Sequence, residues 1–247
     1  MFEKYFNRFY KPLHNLKYSR LIRNQRAKKA QTLNLDLVIP DKRLDHNDPP
    51  KQVKAIGLRI LNLLSHLSEC YNFDFTLAYG TLLGAKRHKG FIPWDDDIDV
   101  FMSRKDFMSF IDVIYQLPAH LLFVPMDVNF FKIMDRSSIV SMDGKRGVAV
   151  DIFILDDKQE NKLSFLNVHT LRRLYIDRKE FYPLRKTPFE EFEFTIPANA
   201  HSILVELYGD YMKLPPVESR VSHHSNLNNI KIGSYGQYLV VEDDIGN

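Results

Sequence analysis

The sequence contains a single cysteine, Cys70, so a framework of disulfide bonds within the chain is excluded. A lone cysteine is typical of a protein from a reducing compartment. No apolar stretch approaches the roughly 18–20 residues that a membrane-spanning helix needs. The N-terminus also lacks the charged-then-apolar layout of a secretory signal. We therefore expect a cytoplasmic protein.

Positive charge is concentrated at one end of the chain. The net charge is only +3, yet residues 1–30 contain nine Lys and Arg against Glu3 alone. Aromatic residues recur at helical spacing between these cations, which predicts a cationic amphipathic helix. Such a helix either binds an anionic partner, namely a membrane surface (here the inner face of the membrane) or an anionic polymer, or packs its aromatic face on the domain. We assign residues 1–49 to a basic amphipathic arm and its linker.

The remainder of the chain alternates between helical and extended patterns. The predicted helices are 53–70, 81–89, 104–117, 161–179 and 201–208, and the predicted strands are 73–79, 98–102, 121–124, 129–134 and 147–155. This order predicts a mixed α/β domain, with a mixed sheet flanked by helices. We expect 73–79, 98–102 and 147–155 to form the core of the sheet.

Four aspartates occupy five positions: Asp95, Asp96, Asp97 and Asp99. Carboxylates this close raise one another's pKa unless a cation or a wet site separates them. The last two enter a predicted strand, where alternate side chains share a face with Cα atoms roughly 6.5–7 Å apart. Two carboxylates on one face are typical ligands of a hard divalent cation such as Mg²⁺ or Mn²⁺. Asp95 and Asp96 are either turn residues or further ligands.

A fifth aspartate, Asp151, interrupts the apolar run 147–155. Burying a lone carboxylate is costly, so Asp151 should have a partner or a metal. If its strand lies beside that of Asp97 and Asp99, three carboxylates converge in the layout of a metal-assisted phosphoryl-transfer site. The alternative is a structural aspartate that caps a turn or pairs with Arg146.

Three further groups are candidates for binding phosphate. The Gly80-Thr81 turn between a strand and a helix exposes backbone N–H groups and a hydroxyl. Arg87 and His88 are the best candidates in the basic run 86–89, which either clamps a pyrophosphate or neutralises the nearby acids. Lys132 either reaches a phosphate or is a solvated strand lysine.

Trp94, the only tryptophan, directly precedes the acidic run. An aromatic face can hold a quaternary ammonium by cation–π attraction, although a tryptophan more often simply packs.

Together these motifs resemble the signature of the LicD family, which comprises phosphocholine transferases of bacterial surface glycans related to the fukutin proteins. The resemblance is carried by 79–84 (YGTLLG) and 87–99 (RHKGFIPWDDDID), and continues with Lys132, Asp135, 150–153 (VDIF) and 208–212 (YGDYM). It spans roughly residues 55–225, and the first fifty residues lie outside it.

The resemblance implies a nucleotidyltransferase-like catalytic domain over 50–225, followed by a polar tail over 226–247. In that fold, Gly80-Thr81, Asp97 with Asp99, and Asp151 match the positions for phosphate, metal and third acid. The implied reaction moves a substituted phosphate, foremost phosphocholine from CDP-choline, to a sugar hydroxyl of lipopolysaccharide, capsule or teichoic acid, and releases CMP.

Other functions remain open at the level of sequence. Relatives with the same motif use CDP-glycerol or CDP-ribitol, and the same three acids would serve a nucleotidyltransferase that releases pyrophosphate. A third possibility is a membrane- or polyanion-binding protein with a degenerate site, which intact Asp97, Asp99 and Asp151 argue against. The expected partners are a CDP-linked donor and a glycan or glycolipid acceptor; no nucleic acid is expected.

Overall fold

The computed structural model describes residues 39–141, 146–166, 172–221, 230–234 and 239–240. The predicted basic helix within residues 1–30 lies outside the described residues, as does most of the predicted tail. In the part of the chain that is described, no helix is both long and apolar enough to cross a membrane.

Five helices and eleven strands make up the described fold. The helices are α1 (Pro49–Tyr71), α2 (Tyr79–His88), α3 (Arg104–Asp112), α4 (Arg178–Phe181) and α5 (Ala200–Tyr208). The first strands are β1 (Thr76–Leu77), β2 (Ile98–Ser103), β3 (Leu121–Asp127), β4 (Phe130–Asp135), β5 (Ser138–Ile139) and β6 (Ala149–Gln159). The others are β7 (Lys162–Leu166), β8 (Arg173–Asp177), β9 (Arg185–Phe189), β10 (Phe192–Ile196) and β11 (Lys231–Ile232).

The central sheet has seven strands, of which five follow the order β1-β2-β6-β4-β3. β2 and β6 are parallel, and the remaining pairs are antiparallel. The long strand β6 extends past this path and pairs with β7, which pairs with β8. Two small two-stranded sheets, β9–β10 and β5–β11, complete the described strands. The predicted mixed α/β architecture is confirmed.

One face of the sheet is apolar and covered by helices. On β2 and β6 this face carries the buried residues Ile98, Val100, Val150 and Ile152. α1 covers this face because its apolar residues recur every three to four positions, so that Val53, Ile56, Ile60 and Leu64 form one buried stripe. The opposite face of the same strands carries Asp99 and Asp151. Strand alternation therefore separates the core from the candidate site.

The predicted helix over 161–179 is wrong. Residues 162–166 and 173–177 are the strands β7 and β8. Leu163 with Phe165, and Leu174 with Ile176, recur every second residue, and all four lie against the core. This period of two outweighed the basic, helix-compatible composition of the segment.

The segment 73–79 was predicted as one strand, but only Thr76–Leu77 pairs with β2. α2 begins at Tyr79, two residues before the predicted start, and Tyr79 has a φ of 40°. The glycine turn predicted at Gly80-Thr81 is therefore the first turn of a helix. Its position after β1 and before β2 agrees with the prediction.

Candidate functional site

Three charged side chains line up across three neighbouring strands. Asp99 on β2 is the register partner of Asp151 on β6, and Asp151 is the register partner of Lys132 on β4. Adjacent strands lie roughly 4.8 Å apart, and register partners point to the same face. The sheet thus forms a row of acid, acid and base, called the charged row below. The predicted convergence of Asp99 and Asp151 is confirmed.

Lys132 is a charged partner of Asp151, for which the sequence predicted either a partner or a metal. Its Nζ donates to both carboxylate oxygens of Asp151 at 2.7 Å, and the two side chains are 24% and 18% exposed. The pKa of Asp151 is nevertheless raised, because burial outweighs the opposing charge and hydrogen bonds of Lys132. The predicted contact between Lys132 and a phosphate stays a prediction, and it would have to share an ammonium group already bound to Asp151.

Asp99 is held in place through its backbone. Its N–H donates to Thr81 Oγ1 at 2.8 Å, and its carbonyl oxygen accepts from the N–H of Ala78 at 2.9 Å. Thr81 is buried in the first turn of α2. Its hydroxyl therefore joins α2 to the strand that carries Asp99. The predicted contact of Thr81 with a phosphate is untested.

The acidic run before β2 folds so that its carboxylates converge. One oxygen from each of Asp95, Asp96 and Asp97 lies within 4.8 Å of the others. A Cβ added to Gly80 would lie 2.8 Å from Asp95 Oδ2, so a glycine at this position leaves room for that carboxylate. Asp95 and Asp96, which the sequence left as turn residues or ligands, thus lie beside Asp97 with their oxygens turned together.

Negative charge is concentrated around Asp99. Burial, followed by the charges of Asp151, Asp97 and Asp95, raises the pKa of Asp99 well above its ordinary value, against a smaller opposing effect of Lys132. The charge of Asp97 also raises the pKa of Asp151, on the neighbouring parallel strand. Such mutual repulsion is what a bound cation relieves.

The donors in this region fit a hard divalent cation. Every candidate ligand is a carboxylate oxygen, the ligand type that Mg²⁺ and Mn²⁺ prefer. The described residues that converge most closely are Asp95, Asp96 and Asp97, with Asp99 and Asp151 next to them on the sheet. The predicted metal ligands Asp97, Asp99 and Asp151 are thus part of a larger acidic group.

A second row on the same face is aromatic. Phe101, Phe153 and Phe130 are register partners on β2, β6 and β4, two residues beyond the charged row. The Tyr79 ring contacts those of Phe101 and Phe153, with centroids 4.9 and 5.0 Å apart. The Tyr79 hydroxyl donates to the Leu166 carbonyl at 2.6 Å, and burial, followed by the charge of Asp99, raises its pKa. This apolar wall lowers the local dielectric beside the acids.

Trp94 already faces two cations. The guanidinium carbon of Arg220 lies 5.3 Å from the Trp94 ring centroid and that of Arg87 lies 6.0 Å away. His88 meets the same ring edge-on at 6.3 Å. A quaternary ammonium at Trp94 would compete with these arginines. The predicted headgroup contact of Trp94 stays a prediction.

Arg87 and His88 hold each other in place. Arg87 Nε donates to His88 Nε2 at 2.9 Å, and Arg87 Nη1 donates to the Tyr211 carbonyl at 2.7 Å. Burial and the charge of Arg87 lower the pKa of His88, so its imidazole is neutral near pH 7. His88 therefore orients Arg87 and adds no charge of its own.

Sequence reasoning missed three residues that shape this region. Lys54 donates to the carbonyls of Ile92 and Pro93 at 3.3 and 3.1 Å. Glu190, in the turn between β9 and β10, accepts from the N–H of Phe91 at 2.8 Å. Tyr208 feels the charges of both Asp99 and Asp95, and burial raises its pKa. All three are distant in sequence from the acidic run. Tyr208 alone had a signal in the sequence, since it belongs to the 208–212 motif.

The chain is similar to known proteins of one family. The family profile described as "LicD/FKTN/FKRP, nucleotidyltransferase domain" matches residues 72–199, just over half of the chain. The lipopolysaccharide cholinephosphotransferase LicD of Haemophilus influenzae is 27% identical over 252 residues, covering 70% of this chain and 95% of the relative. The ribitol-5-phosphate transferase FKTN of Mus musculus is 27% identical over 159 residues, covering 63% of this chain and 33% of the relative.

Among solved structures, a lincosamide antibiotic adenylyltransferase with bound lincomycin superposes with a TM-score of 0.36 and 12% identity, over 58% of this chain and 82% of that one. This likeness is too distant to carry a conclusion. The family profile spans β1, α2 and the charged row, and thus the elements that build the candidate site. The chain belongs to the LicD family, whose nucleotidyltransferase-domain profile matches residues 72–199.

Proposed function

We propose that the protein transfers a substituted phosphate, foremost phosphocholine, from a CDP-linked donor to a sugar hydroxyl of a bacterial surface glycan and releases CMP. Its family and its likeness to the cholinephosphotransferase make the chain a transferase of substituted phosphate groups. The donor, the acceptor sugar and a requirement for Mg²⁺ or Mn²⁺ are our inferences. The observation that best supports phosphate transfer at this site is the charged row of Asp99, Asp151 and Lys132.

In this reaction Asp151 accepts the proton of the attacking sugar hydroxyl. A raised pKa suits a carboxylate to that role, because proton transfer is most efficient when the pKa of the base lies near the working pH. Lys132 keeps Asp151 oriented, and its charge and hydrogen bonds oppose protonation of the carboxylate. Participation of Asp151 in the metal site is the second role open to it.

Asp97 and Asp99 would hold the cation, with Asp95 and Asp96 as additional oxygen donors. When bound, such a cation neutralises charge on the donor's phosphate oxygens. Thr81 and Ala78 fix the backbone of Asp99, and Gly80 admits the Asp95 carboxylate. We expect Arg87 to neutralise further charge on the diphosphate.

A nucleotidyltransferase that releases pyrophosphate from a nucleoside triphosphate is the second candidate, because the family profile names that domain. The likeness to a ribitol-5-phosphate transferase makes CDP-ribitol a second donor to examine. Purified full chain would be incubated with Mg²⁺ and CDP-choline, CDP-ribitol, CDP-glycerol or CTP, with and without glycan acceptors. CMP from one CDP-alcohol names the donor, whereas pyrophosphate from CTP overturns the proposal.

Peripheral membrane contact through residues 1–30 is a separate expectation, and with it a position at the cytoplasmic side of the membrane. The chain with and without this arm would be tested for sedimentation with anionic vesicles. Loss of binding on deletion supports the contact, and unchanged binding removes it.

A further inference from the structure

Two arginines from distant parts of the chain meet at one tryptophan. Arg87 lies in the last turn of α2, and Arg220 follows the short 3₁₀ helix Val217–Ser219. Both guanidinium groups nevertheless face the Trp94 ring, at 6.0 and 5.3 Å. Burial, followed by repulsion from Arg220, lowers the pKa of Arg87. Holding these two like charges close together is therefore electrostatically unfavourable.

Unlike Arg43 and Arg173, these two arginines form no salt bridge with a carboxylate of the described residues. Arg43 is bound to Asp41 and Asp135, and Arg173 lies near Asp156. Arg87 donates instead to His88 and to the Tyr211 carbonyl, and Arg220 Nε donates to the Pro215 carbonyl at 2.9 Å. Within the described ranges, no carboxylate forms a salt bridge with either guanidinium. Both side chains therefore have donor groups that no described carboxylate occupies, and these groups can bind an anion.

The arginine pair adjoins the acidic site. Tyr208 on α5 feels the charges of Asp99, Asp95 and Arg87, so it lies within electrostatic range of both groups. Trp94 itself directly precedes Asp95. A ligand with one phosphate at the acids would thus bring a neighbouring anionic group near the arginines.

We propose that Arg87 and Arg220, assembled on Trp94, form a phosphate-binding subsite beside the carboxylates, and that Arg220 is a substrate-binding residue. Arginine suits this role because its planar fork binds two phosphate oxygens at once and stacks on aromatic rings. The phosphate belongs either to the diphosphate of the donor or to a phosphorylated acceptor sugar. The assignment of this phosphate to the donor or to the acceptor rests on the proposed function, whereas phosphate binding by the two arginines does not.

The single tryptophan provides a direct test. Because both guanidiniums face Trp94, anion binding should change tryptophan emission, and no other tryptophan contributes. The full chain in EDTA would be titrated with pyrophosphate, CMP, CDP-choline and a sugar phosphate. Calorimetric titration gives the affinity independently of emission. EDTA removes any contribution of a cation, and no turnover is needed.

We expect saturable binding by the wild type, weakened at least tenfold in Arg220→Met and in Arg87→Met, with partial recovery in Arg220→Lys. Arg173→Met removes an equal charge from an arginine that faces a carboxylate, and should bind as wild type. Tighter binding of CMP and CDP-choline identifies the donor, and tighter binding of the sugar phosphate identifies the acceptor. Wild-type affinity in Arg220→Met, or equal losses in Arg173→Met, would overturn the subsite.

The two proposals fail separately. Loss of phosphate binding in Arg220→Met together with no CMP release from any donor would leave the subsite and remove the phosphotransferase. CMP release with an unchanged KM in Arg220→Met would support the phosphotransferase and remove the subsite.

Discussion

At the scale of single residues, the negative charge of Asp99 lies in an unfavourable environment. In an unfolded chain the pKa of an aspartate is about 3.9. Burial and neighbouring acids raise the pKa of Asp99 well above that value in the folded protein. Between the two pKa values the folded state keeps a proton that the unfolded state has released, so the free energy of unfolding falls as the pH rises.

Asp99→Asn should therefore be more stable than the wild type when no divalent cation is present. The asparagine has no charge to bury, so its advantage should be smaller at about pH 4 than at about pH 8, because the unfavourable charge of Asp99 forms only as the pH rises. Urea unfolding in EDTA at both pH values measures this. A wild type more stable than Asp99→Asn at the higher pH would contradict the repulsion described here.

Lys132 and Asp151 form the second prediction at this scale. Lys132→Met leaves a largely buried carboxylate without its donor, which we expect to cost about 1–3 kcal/mol of the free energy of unfolding. The double variant Lys132→Met/Asp151→Asn removes both charges and should recover part of that loss. Additive losses in the double variant would show that the pair is not coupled.

At the scale of elements, α2 and the chain that follows it approach very closely. Gly84 in α2 faces the Gly90 carbonyl, and a Cβ at Gly84 would lie well inside contact distance of that oxygen and 3.3 Å from the Ile92 nitrogen. Both neighbours are backbone atoms and cannot rotate away. This contact fixes where the loop to the acidic run leaves the helix.

Gly84→Ala should consequently destabilise the protein by about 2–3 kcal/mol, as overpacking does. In an open helix the same change stabilises by up to about 1 kcal/mol, so the sign is diagnostic. Gly57→Ala in α1 is the matched control, since its Cβ would lie 3.0 Å from Ile98 Cδ1, the mobile end of a side chain. Thermal unfolding of both variants compares them, and equal effects would contradict the close approach.

The elements also show what the sequence could and could not predict. The order of α1, α2, β2, β4 and β6 followed from apolar periodicity and from the motif, because each signal is local. β7 and β8 were missed since their alternating residues lie among basic ones that suit a helix. Glu190 and Arg220 reach the site through tertiary contacts, and no local pattern marks such contacts.

At the scale of the whole molecule, one buried ion pair joins three parts of the chain. Arg43, before α1, binds Asp135 at the end of β4 with Nη2 to Oδ2 at 2.7 Å, and its Nη1 donates to Ser137 Oγ and, at 3.4 Å, to the Gly233 carbonyl. Arg43 and Asp135 are 0% and 1% exposed. Burial alone would lower the pKa of Arg43, but Asp135 and Asp41 raise it overall.

Arg43→Met should cost about 3–5 kcal/mol of the free energy of unfolding, because it leaves Asp135 buried without its main counter-charge. Lys42→Met is the adjacent control, since Lys42 and Glu191 form an exposed pair. That change should cost less than about 1 kcal/mol. Similar losses in both variants, measured by urea unfolding, would show that the buried pair does not hold these segments together.

We propose that the charged row catalyses transfer of a substituted phosphate with release of CMP. The most direct measurement is single-turnover CMP release from CDP-choline, with Mg²⁺ and a glycan acceptor, in the wild type, Asp151→Asn and Asp156→Asn. Asp156 lies on the same strand β6, beyond the row and near Arg173. We predict at least about a hundredfold slower release in Asp151→Asn and wild-type release in Asp156→Asn. CMP release at the wild-type rate by a folded Asp151→Asn variant would show that the charged row does not catalyse the transfer.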